Sequence, residues 1–524
     1  MKRREFISTS GKTLALATLA TGFGSVRVNA LAASPSLQQL QQLTADSDRV
    51  FVLVQLTGGN DGLNTVIPIE NPVYYSSRPN IAIPKAQALQ LRTGLGLHPK
   101  MTGFKQLFDD GKLSVVQNVT YPNPDRSHFR GTDIWMTATD VDVFKTTGWM
   151  GRYLQTLAPN FPDVMPPDPL AVQIGTSLAL GFRGDRGSMG ITFRDPDAFY
   201  SSVDQTNNAG SYDASPDTLG GDELDFVRSI EKASQVYSTA VKRAADNVKQ
   251  NKVTYPNNNP LAQSLKIVAR LVAGGLKTKF YLVNITNTSF DTHIDQGAVD
   301  GAHPTLLNYL SEGIKLFMDD CEQLGIGDRV AGMTFSEFGR RVQENGSRGT
   351  DHGTAAPLFV FGKNVIGGKV HGHDPDLTNL DNRGDLLMEF DYRQVYAASL
   401  LQWFGVPAND TQSILYREFS ALPLFKEIAA GVDDNNEILS SSMYNAPNPC
   451  DELTVINYLV PQTSDVSVSL HDIRGEQLQV IFSGAQEMGV HSVTARTAHL
   501  AAGTYFYKVR VGRWEQMKAL SVVR

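Results

Sequence analysis

The sequence predicts a mixed α/β domain with a mostly parallel sheet and helices on both faces, followed by a small all-β sandwich. Two observations predict the α/β domain: five continuous apolar runs are typical of strands buried on both faces, and helical periodicity lies between several of them. A period-two alternation after residue 445 predicts the sandwich. The apolar runs are residues 49–56, 112–119, 279–285, 329–335 and 357–362.

Composition narrows the classes of partner. The chain of 524 residues has a formal net charge of −7, and its basic residues form no patch that would favour nucleic acid. Its two cysteines, Cys321 and Cys450, are far apart and lack CxxC or finger spacing, so neither a disulfide framework nor a structural zinc site is expected. Cys321 lies on the apolar face of a predicted helix, as a small core residue would.

The first 32 residues predict an export signal. Arg3 and Arg4 precede a mildly apolar segment, and "ALAAS" near Ala32 is a small-residue cleavage site. The arginine pair resembles the twin-arginine type, with an ordinary secretory signal as the alternative. No later stretch reaches the roughly 18 apolar residues that span a bilayer. We therefore expect a mature chain that begins near Ala33 and is exported, with the periplasm in transit and the cell surface or medium as the destination.

Polar side chains with ligand or catalytic chemistry follow the predicted strands. In an open α/β sheet, ligands bind at the carboxyl ends of strands. Carboxylates and imidazoles bind zinc, manganese and similar ions, and a hydroxyl at a helix N-terminus suits an anion or a nucleophile. The candidates are Asn60, Asp61, Asp125, Ser127, His128, Thr132, Asp291, His293, Asp295, Glu337, Arg340, Arg341, Asp351, His352, His371 and His373.

Each of these segments has a plainer interpretation when it is taken alone. "GGNDG" is an ordinary turn, "DRSH" a helix cap, "EFGRR" a solvated helix start and "GTDHGT" a glycine-rich turn. Their joint placement at strand ends favours a metal or anion site over these alternatives.

Five segments carry a resemblance to a known family. "VLVQLTGGNDGLNTVIPIENPVYYSSRPNIAIP", "SHFRGTDIW", "FDTHIDQ", "MTFSEFGRRVQENGSRGTDHGTAAPLFVFG" and "DYRQVYAASLLQWFG" resemble domain-of-unknown-function family 1501, a set of twin-arginine-exported bacterial proteins. The resemblance spans nearly all of residues 48–431. That family is grouped with the alkaline phosphatase and sulfatase superfamily, which implies an alkaline phosphatase-like sheet with metal ions at the strand ends.

The order of residues in that superfamily implies a role for each candidate. Asp61 matches the first ligand, Ser127 the nucleophile with Thr132 as second choice, Asp291 the next ligand, and Asp351–His352 the "DHG" element. His371 or His373 would be the last histidine. The pattern departs at residues 293–295, where His293 lies two residues after Asp291 and Asp295 lies four after it. The Cys-x-Pro-x-Arg site of formylglycine sulfatases is absent, so such a sulfatase is not expected.

These considerations predict a cofactor and a set of site residues. The cofactor is expected to be a divalent metal ion, with zinc as first choice and manganese, calcium and magnesium as alternatives. We predict Ser127 and Arg340 as catalytic, Asn60, His128 and Arg341 as substrate-binding, and Asp61, Asp291, His293, Asp351, His352 and His373 as metal-binding. Asp61, Asp291, Asp351 and His352 are expected to converge on one metal site, with the Ser127 hydroxyl facing it.

The ends of the α/β region set the predicted domain organisation. Residues 48–431 form the α/β domain, with a helical insertion over about 222–277, and residues 432–444 form a linker. Residues 445–524 form the sandwich. The segments "PNP", "VSLHDIRG", "GVHSVTA", "LAAGTYFYKV" and "KALSVV" resemble the C-terminal sorting domains of the type IX secretion system. The resemblance implies passage through that export machinery.

Two functions remain open from the sequence. The first is a secreted metal-dependent hydrolase of phosphate or sulfate esters, acting on a small molecule or a glycan. The second is a non-catalytic surface protein that keeps the fold and binds a glycan or another partner.

Overall fold

The computed structural model describes residues 48–204, 218–286, 288–426, 439, 442–460, 464–487, 489–512 and 514–524. The predicted signal peptide, residues 1–32, and residues 432–438 of the predicted linker lie outside the described residues. The chain divides into two compact units, one within residues 43–432 and one that contains residues 433–524.

One large sheet organises the unit within residues 43–432. Its order is β13-β5-β12-β11-β1-β10-β6-β9, and β14 also pairs with β5. The strands of this unit are β1 (Val50–Gln55), β2 (Val66–Ile67), β3 (Leu89–Arg92), β4 (Leu95–Leu97), β5 (Leu113–Thr120), β6 (Ala171–Ile174), β7 (Arg183–Gly184), β8 (Gly187–Ser188), β9 (Gly190–Phe193), β10 (Phe280–Asn284), β11 (Val330–Phe335), β12 (Ala356–Gly362), β13 (Lys369–His371) and β14 (Phe390–Asp391). Strand β1 is parallel to β10 and β11, and β6 is parallel to β10 and β9. The prediction of a mostly parallel sheet is confirmed.

Helices cover both faces of this sheet. They are α1 (Gly62–Thr65), α2 (Pro72–Ser77), α3 (Thr102–Asp109), α4 (His128–Thr137), α5 (Trp149–Leu157), α6 (Pro196–Asp204), α7 (Leu219–Asn247), α8 (Pro260–Ala273), α9 (Ala302–Gln323), α10 (Tyr392–Ala398) and α11 (Ala408–Leu415). Shorter 3₁₀ turns at Lys85–Gln87, Leu180–Phe182 and Gly327–Arg329, and a π-helical turn at Ser399–Trp403, complete the unit.

Alternate residues of β1 show how the two layers form. Val50, Val52 and Val54 join one buried apolar cluster with residues of α3, α7, α8 and α9. Phe51 and Leu53 join a second cluster with residues of α4, α5 and α10. Because successive side chains of a strand point to opposite faces, an unbroken apolar run requires a helical layer on each side. Helices α7 and α8, in the region of the predicted insertion, belong to the first of these layers.

The reversed direction of β12 gathers several connections at one edge of the sheet. Strands β1, β10 and β11 run in one direction, whereas β12 is antiparallel to both β11 and β5. The segment that precedes β12 therefore lies at the same edge as the segments that follow β1, β5, β10 and β11. This edge carries most of the candidate site residues.

The C-terminal unit is a sandwich of two antiparallel sheets. Its strands are β15 (Tyr444–Ala446), β16 (Leu453–Val460), β17 (Ser464–His471), β18 (Gln477–Gln486), β19 (Gly489–Arg496), β20 (Gly503–Val511) and β21 (Trp514–Val522). One sheet has the order β15-β16-β19 and the other β18-β17-β20-β21. Ile456 of the first sheet shares a buried core with Val468 and Tyr507 of the second. The predicted all-β sandwich is confirmed, and its sorting role stays a prediction.

Among the described residues, no helix is both long enough and apolar enough to cross a membrane.

Candidate metal centre

Helix α4 begins beside the candidate nucleophile. Ser127 is the N-cap: its backbone N–H donates to Asp125 Oδ1 at 2.7 Å, and its hydroxyl accepts from the Arg130 N–H at 3.5 Å. The Ser127 side chain is exposed at a helix end whose unpaired N–H groups favour negative charge. His128 is the first residue of the helix. The connection from β5 to α4 thus delivers a hydroxyl and an imidazole to the same edge of the sheet.

Asp291 lies at the centre of a cluster of imidazoles. Its Oδ1 is 3.0 Å from His293 Nε2 and 3.1 Å from His352 Nε2, and these two nitrogens are themselves 3.0 Å apart. Its Oδ2 is 3.5 Å from His128 Nε2. Ligand atoms of His128, Asp291 and His352 all lie within 4.8 Å of one another, which within the described part of the chain marks them as a group able to hold a metal ion. We call His128, Asp291, His293 and His352 the Asp291 cluster.

Each histidine of the Asp291 cluster turns its Nδ1 toward a hydrogen-bond acceptor. Because carboxylate and carbonyl oxygens only accept, Nδ1 of the neutral ring carries the proton and donates it. Each Nε2 then holds a lone pair that faces Asp291. The pairs are His128 with Glu337 Oε1 at 2.9 Å, His293 with Asp351 Oδ1 at 3.0 Å, and His352 with the Arg126 carbonyl at 3.0 Å.

This arrangement fits a divalent cation. Two facing lone pairs repel one another unless a proton or a cation lies between them. Metal–nitrogen and metal–oxygen bonds of about 2.0–2.2 Å place neighbouring donor atoms about 3 Å apart. The triangle of Asp291 Oδ1, His293 Nε2 and His352 Nε2 has sides of 3.0–3.1 Å. An acceptor that fixes the tautomer of each histidine is also usual around metal-bound imidazoles.

The pKa values of two members match what a metal ligand needs. Burial raises the pKa of Asp291, but its interactions with the Arg340 guanidinium and with the neighbouring imidazoles outweigh it, so the pKa is about 2. Burial lowers the pKa of His352 below its ordinary value. At neutral pH, Asp291 is therefore a carboxylate and His352 a neutral imidazole, the forms that bind metal. The pKa of His128 is raised, chiefly by its hydrogen bond to Glu337.

Arg340, predicted as catalytic, is fully buried beside the cluster. Its Nη2 donates to Asp291 Oδ1 at 2.6 Å, its Nη1 lies 3.4 Å from His293 Nε2, and its remaining hydrogen bonds go to backbone carbonyls of three connections. These carbonyls belong to Gly58, Gly59, Phe290 and Thr350. A buried guanidinium must satisfy its donors inside the protein, and here they hold the loops and Asp291 in place. The contacts make Arg340 a positioning residue, and a role on substrate stays a prediction.

Asp61, predicted as a metal ligand, lies in a separate buried network. Its Oδ2 accepts from Arg78 Nη1 and from Gln296 Nε2, each at 2.6 Å, and both side chains of the Asp61–Arg78 pair are fully buried. Burial raises the pKa of Asp61, but the Arg78 charge and further interactions outweigh it, so the net pKa is lowered. Arg78 also donates to the carbonyls of Arg341 and Val342. The expected convergence of Asp61 with Asp291 on one ion is not observed, because a guanidinium neutralises Asp61 instead.

Asp351 and His352 are neighbours in the chain, but their side chains contact different groups. His352 points its Nε2 into the Asp291 cluster, whereas Asp351 accepts from His293 Nδ1 and from Asn345 Nδ2, each at 3.0 Å. Asp351 therefore orients a ligand and does not face the central triangle. Asn345 was not singled out from the sequence.

The remaining predicted residues lie around the cluster or away from it. Asn60 is buried, and its Oδ1 accepts from the Thr65 hydroxyl and lies 3.1 Å from His303 Nε2. Arg341 donates to the Arg383 carbonyl at 2.9 Å.

The two histidines proposed as the last ligand are not in the Asp291 cluster. His373 is 93% exposed and its Nδ1 lies 2.8 Å from Glu389 Oε1. His371 ends the edge strand β13, and burial lowers its pKa. Asp295 bonds through its backbone to the Ser347 carbonyl. Thr132 lies within α4.

Two contributors could not be assigned roles from the sequence. Glu337 was a candidate only by its position after β11; in the structure it is fully buried and orients His128. Arg126 contributes its backbone carbonyl to His352, and its side chain donates to Asp385 and Asp381. A backbone contact of this kind cannot be inferred from residue type, whereas the "DRSH" segment at the start of a predicted helix marks His128 as a candidate.

The chain belongs to the family described as "Protein of unknown function (DUF1501)", which matches residues 48–414. No curated protein matches the chain. Among solved structures, it is similar to a protein in the alkaline phosphatase superfamily from Vibrio parahaemolyticus, with 10% identity over 87% of each chain and a TM-score of 0.33. It is also similar to the PsFucS1 sulfatase from Pseudoalteromonas sp., with 12% identity over 88% of this chain and 87% of that chain and a TM-score of 0.31.

A third similar structure is the lipoteichoic acid synthase LtaP from Listeria monocytogenes, with 11% identity over 84% of this chain and 92% of that chain and a TM-score of 0.31. TM-scores this low carry no argument about activity. The fold rests on the strand order and register given above.

Proposed function

We propose that the protein is a metal-dependent hydrolase of phosphate or sulfate esters that binds one divalent ion at the Asp291 cluster. The observation that carries the proposal is the convergence of the Nε2 atoms of three histidines on one carboxylate, with each Nδ1 held by an acceptor. Zinc is the first choice because imidazole nitrogens dominate the set.

The charges of the surrounding groups support a divalent ion. Asp291, Asp351 and Glu337 are three carboxyl groups in contact with the cluster histidines, and Arg340 is a guanidinium in contact with Asp291. Three carboxylates exceed one guanidinium by two charges. A divalent cation balances that excess, which is how buried or half-buried charges are normally accommodated.

The chain's own groups suit the handling of an ester. A bound divalent ion supplies Lewis-acid polarisation of an ester oxygen. The Ser127 hydroxyl is exposed, lies one residue before His128, and occupies a helix N-terminus that stabilises an attacking alkoxide or a substrate oxyanion. The Phe338 ring packs 4.9 Å from the His128 ring and 4.6 Å from the His352 ring, which keeps water from one side of both imidazoles.

Two observations favour the second function, a metal-bearing binding protein without catalysis. The Ser127 hydroxyl already serves as the N-cap of α4, and the donors of Arg340 are engaged with backbone carbonyls, Asp291 and His293. A binding protein would bind the ion and an ester without cleaving it.

The test measures metal and turnover together. Protein purified without chelator is analysed for metal content, then assayed with p-nitrophenyl phosphate and p-nitrophenyl sulfate across added zinc, manganese, calcium and magnesium. We expect about one ion per chain and activity that His352→Ala abolishes and His373→Ala retains. Bound metal without turnover of either ester would favour the binding protein, and absence of bound metal would contradict both proposals.

We also propose that the chain is exported by the twin-arginine route and then by the type IX system. The support is the Arg3–Arg4 signal and the resemblance of the C-terminal sandwich to sorting domains. Replacing both arginines with lysine is expected to retain precursor in the cytoplasm, and deletion of residues 445–524 is expected to retain a folded protein in the periplasm. Unchanged surface delivery of either variant would contradict the corresponding route.

A further inference from the structure

Two histidines of the Asp291 cluster are each followed directly by an exposed apolar residue. Phe129, after His128, is 87% exposed, and Ile294, after His293, is 69% exposed. Burying a large apolar side chain is favourable, so leaving two of them in water forgoes a gain in stability. Adjacent Cα atoms are about 3.8 Å apart, so the backbone of each residue lies next to that of a cluster histidine.

A second exposed ring lies in the loop after α4 and packs against Arg130, the residue that follows Phe129. Phe144 is 75% exposed, and the Arg130 guanidinium stacks over its ring with a carbon-to-centroid distance of 3.9 Å. Nε and Nη2 of Arg130 donate to the carbonyls of Val141 and Val143, so the guanidinium is held in place. The start of α4 therefore presents, in order, a metal-binding imidazole, an exposed ring, and a fixed guanidinium that carries another exposed ring.

We propose that Phe129 is a stacking platform for a sugar ring that forms the alcohol half of the ester, and that it sets the substrate class of the site. This inference rests on the proposed function. The C–H face of the sugar would lie on Phe129, while the Arg130 turn offers polar groups to the hydroxyls. Ile294 would contact the same sugar from the other connection.

The exposure of Phe129 favours a sugar over an aryl group. An aryl group gains most when a pocket covers both of its faces, as drug-sized apolar ligands are usually covered. A ring that is 87% exposed offers only one surface. A sugar tolerates such a platform, because its edges and hydroxyls stay in contact with water.

The neighbours of Phe129 also argue against insertion into a membrane. His128 and Arg130 flank it in the chain, and Phe144 is covered on one side by a guanidinium. Aromatic and charged groups alternate here, whereas surfaces that bind lipid present a contiguous apolar patch of several hundred Å².

The experiment compares esters that share an acid group and differ in the alcohol. Binding of glucose 6-phosphate, glycerol 3-phosphate and phenyl phosphate to zinc-loaded protein is measured by calorimetry at low temperature, and the corresponding sulfates are tested in parallel. The variants are Phe129→Ala, Phe129→Trp and, as a matched exposed apolar control in the C-terminal unit, Ile473→Ala, whose side chain is 74% exposed.

For the wild type, we expect the hexose ester to bind about two- to tenfold more tightly than the glycerol ester, which corresponds to roughly 0.5–1.4 kcal/mol for one stacked ring. Phe129→Ala should remove that preference without changing zinc content, Phe129→Trp should retain it, and Ile473→Ala should leave it unchanged.

Three outcomes would overturn the inference while leaving the hydrolase proposal intact. They are equal binding of the hexose and glycerol esters, an equal loss for both esters in Phe129→Ala, and a preference for phenyl phosphate over the hexose ester. If zinc does not bind, or no ester binds to the zinc-loaded protein, the proposed function fails and the platform fails with it.

Discussion

The Asp291 cluster and the Asp61 network use similar residues at the same edge of one sheet, yet they satisfy their charges in different ways. In the network, Arg78 and Gln296 each donate to Asp61 at 2.6 Å, and the Asp61–Arg78 pair is fully buried. In the cluster, the imidazoles present lone pairs to Asp291, whose side chain is 37% exposed. Both carboxylates contact a buried guanidinium, but the Asp61 pair is closed to solvent, whereas Asp291 is partly open to solvent and is surrounded by imidazoles.

The comparison shows why a carboxylate at a strand end is weak evidence for a metal. Asp61 and Asp291 both follow a buried strand, and a buried arginine reaches each of them, Arg78 at Asp61 and Arg340 at Asp291, each at 2.6 Å. A guanidinium supplies planar donors and a permanent charge, so it can take the place of an ion at a carboxylate. What separates the two regions is the set of imidazole Nε2 atoms around Asp291, and replacing residues on either side tests that distinction.

The largest effect is expected from His293→Ala, which removes one side of the ligand triangle. Metal content should fall below one ion per chain after dialysis, because the ion loses one of four protein donors and only His128, Asp291 and His352 remain. Elemental analysis provides the measurement, and circular dichroism checks that the fold is kept. His373→Ala is the matched control. Full retention of metal by His293→Ala would show that His293 is not a ligand.

The next effect is on stability and belongs to the Asp61 network. Arg78→Met leaves a buried carboxylate without its cation and should lower the free energy of unfolding by about 3–5 kcal/mol, measured by urea denaturation. Asp61→Asn in the same chain should recover part of the loss. Arg92→Met is the control, since the Arg92–Asp374 pair is about 40% exposed and is expected to contribute about 1 kcal/mol or less. A small loss for Arg78→Met, with metal now bound at Asp61, would erase the distinction between the two regions.

A smaller effect is expected from the outer contacts of the Asp291 cluster. Asp351→Ala removes the acceptor of His293 Nδ1 and should weaken metal binding about 10–100-fold, as loss of such orienting partners does. Competition with a chromophoric chelator measures the change. Asp295→Ala, on the loop that carries His293 and outside the cluster, should leave the affinity unaltered, and equal losses in both variants would point to a general effect on the loops around the cluster.

The smallest effect concerns pH and the buried His303 of the Asp61 network. Burial lowers the pKa of His303 to about 3, so the folded protein holds this ring neutral while the unfolded chain protonates it below about pH 6.5. The stabilising contribution is therefore fully present above about pH 6.5 and is lost as the pH falls toward 3, by at most about 1.4 kcal/mol per pH unit. Urea denaturation of chelator-treated protein at about pH 7 and pH 5.5 tests the slope. His303→Gln should flatten it, and an unchanged slope would assign the pH dependence to other groups.

The sheet could be predicted from the sequence because each strand is marked by a local pattern of apolar residues. The run VFVLVQ of β1 is buried at every position, and its alternate residues belong to the two separate apolar clusters. A strand that is buried on both faces requires apolar side chains at nearly every position. After residue 445, segments of alternating apolar and polar residues separated by turns predict the sandwich in the same way.

The site could be predicted only in part from the sequence, because which side chains pair with one another depends on contacts between distant segments. His293, Asp291 and His352 could be proposed from strand-end placement, and they do come together. That Arg78 would reach Asp61, however, depends on a contact 17 residues away whose geometry the sequence does not state. The "TDHG" segment raised a related difficulty: it precedes its strand, and it reaches the site only because β12 runs antiparallel to its neighbours.

The wide spacing of the cluster along the chain has a consequence for when an ion can enter. His128 and its partner Glu337 lie 209 residues apart, and the facing nitrogens of His293 and His352 belong to residues 59 apart. A chain still emerging from the ribosome therefore offers no compact chelating segment, and zinc-finger-like folding around the metal is not available to it. An ion at the proposed site would therefore bind only after the sheet has formed. The presence of such an ion in purified protein would indicate that the sheet had formed, and removal of the ion should leave the sheet folded.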